Sequence, residues 1–376
     1  CAASTQPCRA AGAWYGASMS APEARESFHA GSRDASGPVA DTFGRPLRKL
    51  RVSVTDRCNL RCSYCMPRED YRWLPRSDLL DFGGIERLVR VLATLGVERI
   101  RLTGGEPLMR PDLPDLVARL VAIRGIRSVA LTTNGMLLRE NAGPLRAAGL
   151  QGLTVSLDSL RPDRFQRLTR REGLADVLAG IDAALEAGFE RMKINTVVMR
   201  GVNDDEVVDI VDAARARHLE PRFIEYMDVG GATDWRAEAV VPRTELLSVL
   251  ERRHGPIRQL QNRDGAPADR FVLADGFVVG VISSTSQPFC RSCDRARLTA
   301  DGKLLHCLYA RDGLDVRELL RSQVADAEIA DRLAAAWRAR DDRGAELRLA
   351  QPDRGPWVGV DALVRNTHLE MHTRGG

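Results

Sequence analysis

The chain has 376 residues, 44% of them hydrophobic and 28% charged, with a formal net charge of +4. Its length suits about two domains, or one barrel with an extension, and its composition excludes a largely disordered, collagen-like or disulfide-dense chain. No apolar run nears the ~20 residues that span a bilayer, and so mild a charge gives no sign of a nucleic-acid partner.

Residues 1–43 are rich in Ala, Gly, Ser and Pro, lack sustained periodicity, and read as a disordered tail carrying Cys1 and Cys8. From residue 44 short β-rich runs alternate with amphipathic ones. Residues 50–55 read as a strand, and 85–95 as a helix with Leu88, Val91, Leu92 and Leu95 on one face. The strand 99–103 runs into Gly104-Gly105-Glu106-Pro107, and the helix 113–123 precedes a strand, 128–132, that ends in Thr133-Asn134-Gly135. A strand at 153–157 and a helix at 175–187, closed by Gly188, come next. Strands at 192–198 and 222–227 then alternate with helices at 205–217 and 244–253. About six β–α units in a row predict an α/β fold over residues 44–260, either a parallel barrel, here a partial, incomplete TIM-type one, or an open sheet. Gly, Pro, Asn and Asp cluster near 255–268, where a boundary is expected. Beyond it, 270–273 and 277–283 read as a hairpin and 317–320 and 329–338 as helices, an α+β extension over 261–376 with a polar, irregular end.

Six of the eight cysteines fall in two groups, Cys58-x3-Cys62-x2-Cys65 and Cys290-x2-Cys293-x13-Cys307. Such close spacings suit metal ligation better than disulfide bridging, so a reducing compartment, the cytoplasm, is expected. One reading is that the six share structural zinc, but zinc takes four protein ligands and each group offers three, with few histidines near. The other is two iron–sulfur clusters, each with one iron left open to a substrate or cofactor, since cubane clusters otherwise take four cysteines.

Strand side chains alternate in direction. Arg51, Ser53 and Thr55 share a face, as do Arg99, Arg101 and Thr103, then Thr154, Ser156 and Asp158, then Lys193 and Asn195, with Arg222 starting the sixth strand. Barrel interiors are ordinarily apolar. Any one of these basic residues could reach solvent at a strand end or pair with a local carboxylate, but the repetition over five strands predicts a charged cavity. Unpaired buried charge is costly, and arginine binds phosphate in a bidentate manner, so a polyphosphate would suit it. The chain has no P-loop, and Gly104-Gly105 sits at a strand's C-terminal end, where a side-chain-free backbone would let a ligand approach.

The segment Cys58-Asn59-Leu60-Arg61-Cys62-Ser63-Tyr64-Cys65-Met66-Pro67 resembles the signature of the radical S-adenosylmethionine (SAM) enzymes, and Gly104-Gly105-Glu106-Pro107 resembles their SAM-binding segment. The second cysteine group, within Phe289-Cys290-Arg291-Ser292-Cys293-Asp294-Arg295-Ala296-Arg297-Leu298 and completed by Cys307, narrows this further. With the run Arg222-Phe223-Ile224-Glu225-Tyr226-Met227-Asp228 and the terminal Gly375-Gly376, the chain from about Phe43 onward resembles the molybdenum cofactor biosynthesis protein A family, GTP 3′,8-cyclase.

The resemblance implies two [4Fe–4S] clusters, one on Cys58, Cys62 and Cys65 binding SAM, the other on Cys290, Cys293 and Cys307 binding the guanine of GTP. Tyr64, Gly104, Gly105, Glu106, Ser156 and Met227 would contact SAM. Arg51, Arg101, Thr132, Lys193, Arg295, Ala296 and Arg297 would contact GTP, with Arg99 and Arg222 as further candidates for the triphosphate. Reductive cleavage of SAM would generate a 5′-deoxyadenosyl radical that takes the C3′ hydrogen, and the ribose carbon would then attack guanine C8. Arg295, Arg297, Gly375 and Gly376 would attend this step. Arg374 stands where an aliphatic residue is more usual, which puts the fit of the tail in question. The implied partners are a reductant protein and a downstream cyclic pyranopterin monophosphate synthase, without nucleic acid or membrane; the family leaves room for a homodimer. Two rival readings stay open: a peptide-modifying radical SAM enzyme with an auxiliary cluster, and a non-catalytic zinc-stabilised binding protein.

Overall fold

Each strand of the first half is followed by a helix that covers it, as the alternation predicts. The computed structural model describes residues 37–261, 265–322 and 324–375. Residues 1–36 of the expected tail, with Cys1 and Cys8, lie outside the described residues, as does Gly376. Packed chain begins before residue 44, where the tail was expected to end. Asp41 is buried because its carboxylate accepts from the backbone of Phe43 and Arg45 and pairs with two arginines.

In chain order the first half contains β1 (Lys49–Ser53), α1 (Phe82–Thr94), β2 (Arg99–Thr103), α2 (Leu113–Val121), β3 (Ser128–Thr133) and α3 (Leu138–Ala147). Then come β4 (Gly152–Ser156), α4 (Pro162–Thr169), α5 (Leu174–Glu186), β5 (Met192–Val198), α6 (Val207–Ala216), β6 (Glu220–Glu225) and α7 (Arg243–His254). The periodicity of α1 buries Ile85, Leu88, Val89, Val91 and Leu92, and Asp81 caps it by accepting from Gly84 N at 2.6 Å. Two helices were not expected. α3 contains Pro144, which reads as a helix breaker, yet Leu138, Ala142 and Leu145 still form a buried stripe. α4 is short and polar, started by Pro162 and held by Phe165 and Leu168.

The extension adds β7 (Arg258–Gln259), β8 (Asp269–Val272), β9 (Val278–Ile282), β10 (Arg295–Leu298), β11 (Lys303–Leu305) and β12 (Leu314–Asp315). After them come α8 (Val316–Arg321), α9 (Asp326–Arg338), α10 (Gly344–Leu349), α11 (Val360–Arg365) and α12 (Met371–Arg374). All twelve strands form one sheet in the order β12-β11-β10-β1-β2-β3-β4-β5-β6-β9-β8-β7. β1 to β6 are parallel neighbours, β10 pairs in parallel with β1, and β9 pairs in parallel with β6. The expected hairpin is present as β8 and β9, but the extension is woven into the sheet. An open six-stranded sheet would leave the edges of β1 and β6 unpaired, and the returning chain satisfies both. The end of the chain is not irregular either: Glu370, His372, Thr373 and Arg374 are buried. No helix among the described residues is long and apolar enough to cross a membrane.

One apolar layer lies between the sheet and its helices and includes Val52, Ile100, Leu102, Val129, Leu131 and Val155. A second, around Phe223, Val279, Val281, Ile210 and Leu246, joins β6 to β9 beneath α6 and α7. Phe223 is fully buried at that junction and registers with Val281. Phe223→Ala is expected to cost about 3–5 kcal/mol of stability, measured by urea unfolding.

Candidate active site

The loops leaving the C-terminal ends of β1 to β6 surround one cavity, roofed by residues of the extension, with ≈ 320 Å³ open to the centre of a water molecule. All six clustered cysteines line it, and all are free thiols. The two groups, far apart in sequence, meet because β10 lies beside β1.

The first group occupies the loop after β1. Cys65 N and Met66 N donate to Cys62 O at 3.0 and 2.8 Å, and the loop is held from outside by the end of α4, where Thr169 O and Leu168 O accept from Arg61 N and Ser63 N. Burial, then the nearby Glu106 carboxylate, pushes the Cys58 thiol up to about 11. Burial raises Cys62 and Cys65 further, and the thiols oppose one another's ionisation. Three half-buried thiols that repel once ionised need a cationic partner, so this donor set fits an iron–sulfur cluster.

In the second group Cys290 opens a single 3₁₀ turn, Cys290–Ser292, that delivers Cys293, and Cys307 follows β11. Burial raises Cys290 and Cys307. Backbone N–H groups of Glu346 and Ala345 oppose it at Cys290, and those of Tyr309 and Gly344 oppose it at Cys307. A Cβ on Gly344 would stand 3.0 Å from Cys307 Sγ and 2.5 Å from Tyr309 Cβ, so α10 approaches this closely only through glycine. Burial also acts to raise Cys293, but Arg295 and then Arg340 outweigh it and bring the thiol down to about 7. Three cysteines brought to one cavity make a second donor set of the same chemistry as the first.

A basic row runs across the strands at this cavity; Arg51, Arg295, Arg297 and Thr132 line it, whereas Arg101 and Lys193 are not among its lining residues. Arg297, Arg51 and Arg101 are lateral partners on β10, β1 and β2. Burial, followed by Arg297, Arg101 and Arg295, holds Arg51 well below its ordinary value. Burial and arginine neighbours likewise bring Arg101 down to about 10 and Arg297 to about 9. Thr132, Thr154 and Lys193 form a further row on β3, β4 and β5, and Arg101 Nη1 donates to the hydroxyls of Thr132 and Thr154 at 3.1 and 3.2 Å. Cations crowded out of water are relieved by an anion of several charges.

Not every expected residue sits there. Ala296 points into the core between Arg295 and Arg297, so only its backbone could meet a ligand. Arg99 lies at the far end of β2, 39% exposed and 3.6 Å from Glu98, and Arg222 is paired with Glu220 at 2.7 Å. Gly104 and Gly105 line the cavity, but their lack of side chains serves the protein first: a Cβ would strike Thr55 O at 2.4 Å and Arg57 O at 2.3 Å. Glu106 lines the cavity and is also a buried tie between loops, accepting from Leu108 N, Thr133 Oγ1 and Asn134 N at 3.0, 2.7 and 2.7 Å. Burial pushes its acid up to about 7 against those bonds. Ser156 and Met227 line the cavity, as does Tyr64, whose hydroxyl donates to Asp158 at 2.5 Å.

The C-terminal segment reaches the basic row. Arg297 Nη1 donates to Gly375 O at 2.9 Å, and Gly375 has φ +70°, with Thr103 Cγ2 2.6 Å from where a Cβ would be. Arg374 fits: it is fully buried, lies 4.9 Å from the Trp357 ring centroid, and donates to Leu308 O at 2.6 Å and to His368 O. Sequence reasoning missed Asn134, which donates to Asn59 at 2.7 Å and approaches Cys58 Sγ at 3.9 Å; its place at the end of a parallel strand was the available signal. It also missed Asp228, next to Met227, which accepts from Tyr309 Oη at 2.6 Å and from Arg348 and Arg354.

Residues 52–214 match the family model described as the radical SAM superfamily, and residues 219–346 the one described as Molybdenum Cofactor Synthesis C. The chain is 50% identical over 342 residues to a Mycobacterium tuberculosis protein named GTP 3′,8-cyclase 1, covering 90% of this chain and 95% of that one. It is 49% identical over 327 residues to a GTP 3′,8-cyclase of Acidothermus cellulolyticus, covering 84% and 90%. Among solved structures, Streptococcus suis SuiB bound to S-adenosylmethionine matches in fold, with a TM-score of 0.55 at 15% identity over 85% of this chain and 77% of that one.

Glu106→Ala would strand the Thr133 hydroxyl and two backbone N–H groups. The expected cost is about 1–3 kcal/mol for each donor that water cannot reach, read as a lowered urea midpoint together with weakened iron retention at the adjacent Cys58.

Proposed function

The chain belongs to the GTP 3′,8-cyclase family of radical SAM enzymes, and we propose from its cavity how its residues divide the work. It is an enzyme that binds SAM and [4Fe–4S] clusters and converts GTP to (8S)-3′,8-cyclo-7,8-dihydroguanosine 5′-triphosphate, the first step of molybdenum cofactor biosynthesis. Family membership decides against the peptide-modifying and zinc-stabilised readings.

Residues 44–260 supply the SAM half and residues 261–376 the second cluster and the tail. Cys58, Cys62 and Cys65 hold one cluster, and Cys290, Cys293 and Cys307 the other. Bound beside the first group, cluster and SAM supply the 5′-deoxyadenosyl radical that takes the ribose C3′ hydrogen. Tyr64, Gly104, Gly105, Ser156 and Met227 position SAM, while Glu106 acts by holding the loops together. The observation that carries the GTP assignment is the row Arg297–Arg51–Arg101 on three neighbouring strands, of which Arg297 and Arg51 line the same cavity as both cysteine groups. With Lys193 it neutralises the triphosphate, Thr132 adds a hydroxyl donor, and Arg295 faces the second group. Arg297 serves twice, since it also holds Gly375 against the strand ends; a closed, water-poor site keeps a radical from side reactions. A separate reductant protein supplies the electron, and a downstream synthase converts the product to cyclic pyranopterin monophosphate.

The full chain, reconstituted anaerobically with iron and sulfide, is expected to hold about eight irons and, with SAM and a reductant, to form 5′-deoxyadenosine only when GTP is present. Deoxyadenosine formed equally without GTP would contradict the substrate assignment. Arg297→Ala should weaken GTP binding about 10- to 100-fold, the loss of a charged hydrogen bond; unchanged affinity would remove it from the substrate site.

Burial, then Arg222, brings Lys193 down to about 8 in the free protein. A bound triphosphate favours the charged amine and raises that value. The contribution of Lys193 to GTP affinity is therefore complete below pH ~8 and falls as pH rises through it. Calorimetry at pH 8.5 in buffers of different ionisation enthalpy should show proton uptake on GTP binding, and Lys193→Met should abolish it.

A further inference from the structure

Behind the second cysteine group two buried arginines share one buried aspartate. Arg45 Nε donates to Asp41 Oδ2 at 2.6 Å, and Arg340 Nη1 reaches the same oxygen at 3.2 Å. The side chains of all three are at most 2% exposed. Each guanidinium also grips the turn that carries the cysteines: Arg45 Nη1 donates to Cys290 O at 2.8 Å and Arg340 Nη1 to Cys293 O at 2.8 Å. Both arginines line the cavity beside the thiols, and Arg45 Nη2 is buried with no hydrogen-bond partner among the described residues. Aromatic rings back the pair, Phe43 5.0 Å from Arg45 and Trp337 4.5 Å from Arg340, and Trp337 Nε1 donates to Arg45 O at 3.1 Å.

Burying two guanidiniums against one carboxylate is unfavourable unless a further anion lies close. Asp342 offsets this only in part, since it is 32% exposed and 3.7 Å from Arg340 Nε. Arg45 Nη1 also donates to Asp342 O at 2.8 Å, a neutral acceptor, and the Cys290, Cys293 and Cys307 sulfurs line the same cavity as both arginines. Thiolates around an iron–sulfur cluster carry net negative charge, and hydrogen bonds and charge near the sulfurs set its reduction potential. We propose that Asp41, Arg45 and Arg340 are positioning residues for the second cluster, fixing the Cys290–Cys293 turn through its carbonyls and holding positive charge that raises the cluster's reduction potential. Asp41 orients both arginines and tempers their charge. Residues just ahead of β1 thereby act on a cluster whose ligands come from the other end of the chain.

This inference rests on the second cysteine group holding a cluster, and the test separates the two. The full chain with Cys58, Cys62 and Cys65 replaced by alanine is reconstituted anaerobically, its iron is counted, and the midpoint potential is followed by electron paramagnetic resonance. Failure of this parent to take up about four irons would sink the cluster assignment itself. In a loaded parent, Arg340→Gln and Arg45→Gln should shift the potential to more negative values and Asp41→Asn to more positive ones, with Arg340→Lys close to the parent. A merely structural role predicts no such opposition of sign. Unshifted potentials, or shifts of one sign in Arg340→Gln and Asp41→Asn, would overturn the clamp. Should Arg340→Gln not load, Arg340→Lys decides: loading with the parent potential supports it, and failure of this charge-retaining variant to hold iron overturns it.

Discussion

The parallel pairing of β10 with β1 is the contact on which the site depends. It sets Arg297 beside Arg51, which already lies beside Arg101, and brings Cys290, Cys293 and Cys307 to the same cavity as Cys58, Cys62 and Cys65. The pairing is favoured for ordinary reasons: the edge of β1 needs partners for its backbone, and Ala296 and Leu298 continue the apolar layer begun by Leu50 and Val52. Functional groups occupy the other face of the same residues. Stability and chemistry thus use opposite sides of one strand, as the period-two geometry allows.

Electrostatics runs against the fold at this place. Arg51, Arg101, Arg297 and Lys193 are all pulled down by burial and by other cations, and the two cysteine groups are pushed up, with Cys293 the exception. Each set is poised for a partner of opposite charge. The surrounding carboxylates are already engaged by donors: Glu106 by the loops after β2 and β3, Glu225 by Arg243, Thr285 and Ser286, and Asp228 by Tyr309, Arg348 and Arg354. They stiffen the walls of the cavity.

Much of this was legible in the chain. The strand–helix rhythm to residue 254 follows from periodicity, and the cysteine spacings announce metal ligation. The alternation along β1, β2 and β5 put Arg51, Arg101 and Lys193 on the arginine-bearing face, and of the three Arg51 lines the cavity. It could not separate Arg101 from Arg99, which shares its face but sits at the strand's other end beside Glu98; depth along a strand is not encoded in alternation. α3 was hidden by Pro144 and α4 by its polarity. The strands β10 to β12 are too short to show a period. Arg374 looked misplaced because its partners, Trp357 and the carbonyls of Leu308 and His368, lie on loops with no local signature.

By itself the sequence determined the kind of chemistry: three thiols per group, an arginine-rich strand face and a glycine-ended tail are local patterns, each set by a few neighbouring residues. Only the tertiary structure decided how those patterns meet. It joined the extension to both sides of the β1–β6 sheet, put Asp41 and Arg45 beside Cys290 and Cys293, and made Glu106, which lines the cavity, a tie between loops as well. The reason is physical. Spacing along the chain fixes which side chains share a face, whereas which faces oppose one another follows from satisfying strand edges and buried charges across long separations in sequence.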